Sequence, residues 1–160
     1  DRDAMADLNR VLEDEPGNAL TLYNRGLISA QLGAYEDALD DMDRVLNINP
    51  QNVLAYFNRA SIFIELGQYK NALEDYDKAI ELYPDFAKAY MNRWYVKNML
   101  GQQKDAKKDY DIAQKKVQEY RAKNMSSKEI VGSVALDLTV TIDTYAAFNP
   151  YESVFGIIAV

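Results

Sequence analysis

The sequence predicts an all-α array of stacked helix pairs. Residues of the same type return every 34 positions, apolar residues within each unit recur at spacings of three and four, and Gly and Pro hold fixed places in every unit. In that register Pro16, Pro50 and Pro84 align, as do Gly33, Gly67 and Gly101, and Ala4, Ala38, Ala72 and Ala106. The pairs Asn24-Arg25, Asn58-Arg59 and Asn92-Arg93 align as well.

Residues 1–16 end as the later units do, so they read as the second helix of a truncated repeat, and the chain reads as a piece of a longer protein. Full repeats follow at 17–50, 51–84 and 85–118. Their first helices are expected over roughly 19–32, 53–66 and 87–100. Gly33, Gly67 and Gly101 suit the residue just past a helix end, where a left-handed backbone is cheap only without a Cβ. The second helices start beyond each Gly and stop before Pro16, Pro50 and Pro84. Ala38, Leu39, Met42, Val45 and Leu46 make one apolar stripe that must face another helix, while Gly26, Ala60, Ala38 and Ala72 let antiparallel helices approach closely.

The third full repeat departs from the others. Trp94 stands for Gly26 or Ala60, Lys97 for Phe63 and Gln103 for Tyr69, as expected of an array's last unit, whose outer face no further repeat covers. Its second helix runs on to about 125 through Lys104, Lys107, Lys108, Lys115, Lys116, Arg121 and Lys123, which reads as a solvated face. The array thus spans 1–125. From 126 to 160 the character changes: VALDLTVTIDTY (134–145) alternates apolar and polar like a strand, FNPYES supplies a turn, and VFGIIAV ends the chain as an uncovered apolar run. This β-prone tail is a small β-element, a strand added to a neighbour, or the start of another domain.

Composition removes whole classes of function. No His and no Cys occur among the 160 residues, which excludes thiolate nucleophiles, Ser-His-Asp relays, disulfides and the usual zinc ligands. With Lys+Arg 18 against Asp+Glu 25, the net charge of −7 repels a phosphate backbone, so nucleic acid is not an expected partner. No run approaches the roughly 18 to 20 apolar residues of a membrane helix, so membrane insertion is not expected. Nor is there a Walker loop, a dinucleotide fingerprint or a calcium loop. The acidic cluster Glu36, Asp37, Asp40, Asp41 and Asp43 falls at helical spacing between apolar positions and reads as a solvated face. No catalytic residue, metal or cofactor is therefore assigned.

The pattern of an aromatic, a small residue, Leu-Gly, Tyr, Ala and Pro every 34 residues resembles the tetratricopeptide repeat, over residues 1 to about 118, and the chain reads as a fragment of a bacterial-type member. The resemblance implies a right-handed solenoid whose first helices line a concave groove that contacts extended peptides. It brings three columns to that groove. Leu20, Tyr23, Asn24, Leu27, Ala30 and Gln31 form the first, and Leu54, Phe57, Asn58, Ser61, Ile64 and Glu65 the second. Lys88, Met91, Asn92, Tyr95, Asn98 and Met99 form the third. The peptide-binding candidates are Tyr23, Asn24, Leu27, Phe57, Asn58, Ser61, Lys88, Met91, Asn92 and Tyr95.

The Asn column admits two roles: a donor-acceptor amide that clasps a peptide backbone, or a hydrogen bond to the adjacent repeat. Tyr23, Phe57, Met91 and Tyr95 offer apolar pockets or ordinary burial. Some relatives clamp the terminal carboxylate of heat-shock chaperones with Lys, Asn and Arg. Asn58 and Lys88 match two of those positions, but Tyr23, Leu27 and Asn92 replace the others, so chaperone-tail binding is not expected. Arg25, Arg59 and Arg93 are expected to lie across the helix pair and bond acids such as Asp41 or Asp75.

The expected function is a non-enzymatic interaction scaffold that binds an extended protein segment in the groove. The alternative is an assembly module whose groove is filled by its own tail or a neighbour's. Residues 1–50 carry four basic and eleven acidic groups, so the excess acid lies on the early second helices. The groove columns hold only Glu65 and Lys88 as charges and select a neutral, apolar and amide-matching ligand.

Overall fold

A computed structural model of the protein describes residues 2–126, with side-chain surroundings to 123. The strand-like segment 134–145, the apolar end 154–160, and the reading in which the tail fills the groove lie outside the described residues. Among the described residues seven helices follow one another: α1 (Arg2–Asp14), α2 (Ala19–Gln31), α3 (Tyr35–Ile48), α4 (Val53–Glu65), α5 (Tyr69–Leu82), α6 (Ala87–Met99) and α7 (Gln103–Ser126). They form an all-α solenoid of the expected kind. Each of α2, α4 and α6 packs against the helix that follows it and against the helix just before it, which is the second helix of the preceding repeat.

Local chemistry sets the boundaries. Asn18 Oδ1 accepts from Thr21 N at 3.0 Å and Asn52 Oδ1 from Ala55 N at 3.0 Å, capping α2 and α4. In the third repeat Phe86 takes the cap position without a side-chain bond. It is instead fully buried, with its ring centroid 4.8 Å from that of Phe57, so an apolar anchor replaces a polar cap. Gly33, Gly67 and Gly101 have φ of 78°, 70° and 77°, the left-handed turn between paired helices. α3 and α5 end at Ile48 and Leu82, just before Pro50 and Pro84.

The close approach expected at Gly26 is observed. A Cβ there would stand 3.0 Å from Met42 Cε and 3.2 Å from Asp41 Cβ. Trp94, in the same column, is half-buried and packs on Tyr110 at 5.6 Å between ring centroids. Between the second and third repeats the core is aromatic: Phe57 meets Tyr76 edge-on at 5.6 Å and also packs on Phe86. Each such pair adds about 0.5–1.5 kcal/mol beyond the area it buries.

An arginine ladder locks the register on the opposite side of the first helices. Arg59 binds Asp75 of its own repeat through two hydrogen bonds of 2.8 Å, and its third nitrogen donates to Asp43 of the preceding repeat at 2.8 Å. Arg93 repeats this with Asp109 and Asp77, and Arg25 with Asp41 and Asn9. The expected arginine role is thus observed. One expectation needs correction: Asp41 does not belong to the solvated acidic face, because it turns inward to Arg25 and is 2% exposed. Lys116 likewise leaves the solvated basic face, with Nζ 2.6 Å from Asp85.

Candidate functional site

The inner layer is built by α2, α4 and α6, whose matching faces carry the Asn column. Two of those amides are spent inside the stack. Asn58, fully buried, donates from Nδ2 to Tyr23 Oη at 2.5 Å and ties the first two full repeats together. Asn92, also fully buried, donates from Nδ2 to Tyr76 Oη at 3.0 Å, and Ser61 Oγ lies 3.0 Å from the same hydroxyl. Burial pushes the hydroxyl pKa of Tyr23 and of Tyr76 well above the ordinary tyrosine value, partly offset by these hydrogen bonds. Both phenols stay protonated and accept from their Asn amides.

Asn24 differs. The position corresponding to Tyr76 two repeats earlier is Leu8, which offers no hydroxyl, and among the described residues the Asn24 amide makes no hydrogen bond. It is half-exposed and lines a cleft of about 530 Å³ with Leu8, Val11, Leu27, Ile28 and Gln31. Sequence reasoning missed the α1 contribution to this cleft, although Leu8 and Val11 stand at helical spacing. It also passed over Tyr76, whose column, Met42, Tyr76 and Tyr110, holds a hydroxyl only from the second repeat onward.

The ten candidate residues therefore divide by accessibility. Tyr23, Leu27, Phe57, Asn58, Ser61, Met91 and Asn92 are buried, whereas Asn24, Lys88 and Tyr95 keep part of their surface. Burial lowers the Lys88 ammonium below its usual value, and among the described residues no carboxylate lies within ion-pair distance of it. One turn further along α6, Asn92 Oδ1 is buried without a hydrogen-bond donor among the described residues. An uncompensated cation and an unfilled acceptor thus stand at i and i+4 on one helix face. Leu20 at 62% and Met99 at 49% are exposed apolar residues of the same columns.

Among the described residues no group of carboxylates could hold a metal ion, and no helix is long and apolar enough to cross a membrane. Models of the tetratricopeptide repeat match residues 19–52 and 53–86. The crystal structure of MamA is similar over 76% of this chain and 71% of that chain, at 24% identity and a TM-score of 0.72. The first TPR of Spaghetti (RPAP3), bound to the HSP90 peptide SRMEEVD, is similar at 30% identity and a TM-score of 0.60. That match covers 61% of this chain and 78% of that one. No curated protein matches the chain.

Proposed function

Because the chain belongs to the tetratricopeptide repeat family, we propose that it is a non-enzymatic scaffold holding an extended segment of another protein along the inner face of α2, α4 and α6. The observation that carries this reading is Lys88. A half-buried ammonium without a carboxylate partner among the described residues is costly unless a ligand supplies the counter-charge. A peptide with an acidic side chain or a free C-terminus supplies it. Asn24 and Tyr95 add reachable polar contacts, and the buried Tyr23, Leu27, Phe57, Asn58, Ser61 and Met91 shape the surface beneath.

The RPAP3 domain holds an HSP90 peptide, which supports peptide binding as the mode. The same partner does not follow. Asn58 is committed to Tyr23, and Asn92 stands where relatives that clamp chaperone tails carry a distal basic residue. Fluorescence anisotropy against an array of nine-residue peptides, each with a free and an amidated C-terminus, tests the proposal. A subset with free carboxyl ends or acidic side chains is expected to bind near 1 µM, about −8 kcal/mol. Lys88→Met is expected to weaken that subset about tenfold with an unchanged helical signal. Affinities indifferent to Lys88→Met would refute the groove mechanism.

A further inference from the structure

The three repeats compare one environment with itself. Beside each ladder arginine, one helical turn along the same helix, stand Ser29, Phe63 and Lys97. In the second repeat Phe63 fills the space, its ring centroid 6.0 Å from Arg59 Cζ. In the third, Lys97 fills it and sets Nζ 2.8 Å from Asp109 Oδ2, making a second cation on a carboxylate that is 2% exposed. In the first, Ser29 is too short to fill it, and a cavity of about 300 Å³ remains between α1, α2 and α3.

That cavity is built for a cation. Among the described residues Arg25 is the one cation in its wall, against Asp37, Asp40 and Asp41. Arg44 approaches Asp41 only at 3.9 Å, does not line the cavity, and is held by a hydrogen bond to the Pro16 carbonyl at 2.8 Å. Asn9 closes the wall from α1, where the later repeats carry Asp43 and Asp77. Ser29 is 2% exposed and lines the cavity, and its hydroxyl makes no hydrogen bond among the described residues. A hydroxyl without a protein partner, set in a carboxylate-rich wall, offers a hydrogen-bonding guest one further polar contact.

We propose that this cavity receives a lysine side chain from a partner protein, its ammonium taking beside Asp41 the place that Lys97 takes beside Asp109. The third repeat shows that the same wall accepts a lysine stem and a second cation on its inner carboxylate. An arginine is disfavoured because Arg25 already occupies both carboxylate oxygens in the plane of its guanidinium. None of the residues lining the site belongs to the groove columns, so a basic partner segment is expected not to displace a groove ligand.

NMR titration of the full ¹⁵N-labelled chain with the blocked tripeptide Ac-Gly-Lys-Gly-NH2 tests this, with the norleucine tripeptide as the uncharged control. The lysine peptide is expected to give saturable shifts centred on the amides of Asn9, Ser29 and Asp40, with at least tenfold weaker binding for norleucine. Ser29→Lys, which supplies the cation internally, is expected to abolish the response. Asp40→Asn, a change at an exposed position that leaves the fold intact, is expected to weaken it severalfold. Equal response to the two peptides, no localised response to lysine, or undiminished binding in either variant would overturn the proposal.

Discussion

Arg59 offers a controlled comparison, because one guanidinium holds two aspartates in different surroundings. Asp75 takes two of its hydrogen bonds and has a side chain 7% exposed, while Asp43 takes one and is 56% exposed. Asp75→Ala leaves a partly buried guanidinium with two orphaned donors, a loss of about 3–5 kcal/mol. Asp43→Ala removes a contact that water replaces, at about 0–1 kcal/mol. With a urea slope of about 2 kcal/mol/M, the first variant lowers the unfolding midpoint by roughly 1.5–2.5 M and the second by less than about 0.5 M. Far-UV circular dichroism over a urea series reads both, and equal shifts would refute the assignment of Asp75 as the anchoring acid.

Acid provides a second arm of that test. Burial pushes the Asp75 carboxyl above its ordinary value even though the Arg59 hydrogen bonds and charge pull it down. Arg59 is in turn held more firmly protonated, chiefly by its hydrogen bonds to Asp75. The folded state therefore holds the Asp75 proton more tightly than the unfolded state. Its proton-linked stabilisation is full below the unfolded value of 3.8 and is lost as pH rises through the higher folded value. Mild acid is thus expected not to unfold the middle repeat through this residue.

Three further outcomes are expected. Gly67→Ala meets no atom within 4 Å, yet at φ +70° it is expected to cost about 1–2 kcal/mol through backbone strain alone, measured by urea unfolding. Asn92→Ala removes a buried donor from Tyr76, whose hydroxyl keeps Ser61, so a loss of about 1–3 kcal/mol is expected without loss of helicity. For Lys88, the folded pKa lies below the ordinary 10.5, so the unfolded chain binds its proton more tightly and stability rises as pH climbs through that window. Lys88→Met is expected to raise stability at neutral pH and to flatten this alkaline rise, seen as urea midpoints that no longer climb toward pH 10.5.

The helix pairs, their boundaries and the arginine role were legible in the sequence because each rests on local or strictly periodic chemistry. Gly33, Gly67 and Gly101 turn where only glycine is cheap, and the paired Arg and Asp return in every unit. Accessibility was not legible. Asn24, Asn58 and Asn92 are identical in the repeat register, yet two are buried on tyrosine hydroxyls and one faces a cleft. The difference comes from residues in neighbouring units: Tyr23 for Asn58, Tyr76 for Asn92, and Leu8 where Asn24 would need a hydroxyl.

The sequence by itself determined the architecture, since a 34-residue period with fixed turn residues leaves one way to bury every apolar stripe. Only the tertiary structure decided which of the repeated polar groups remain open to a partner. Whether Asn92 Oδ1, the Lys88 ammonium or the Ser29 hydroxyl finds a mate depends on side chains brought from another helix, often from the preceding repeat. Repetition sets the positions of these groups, and the departures from repetition in the neighbouring units set their availability.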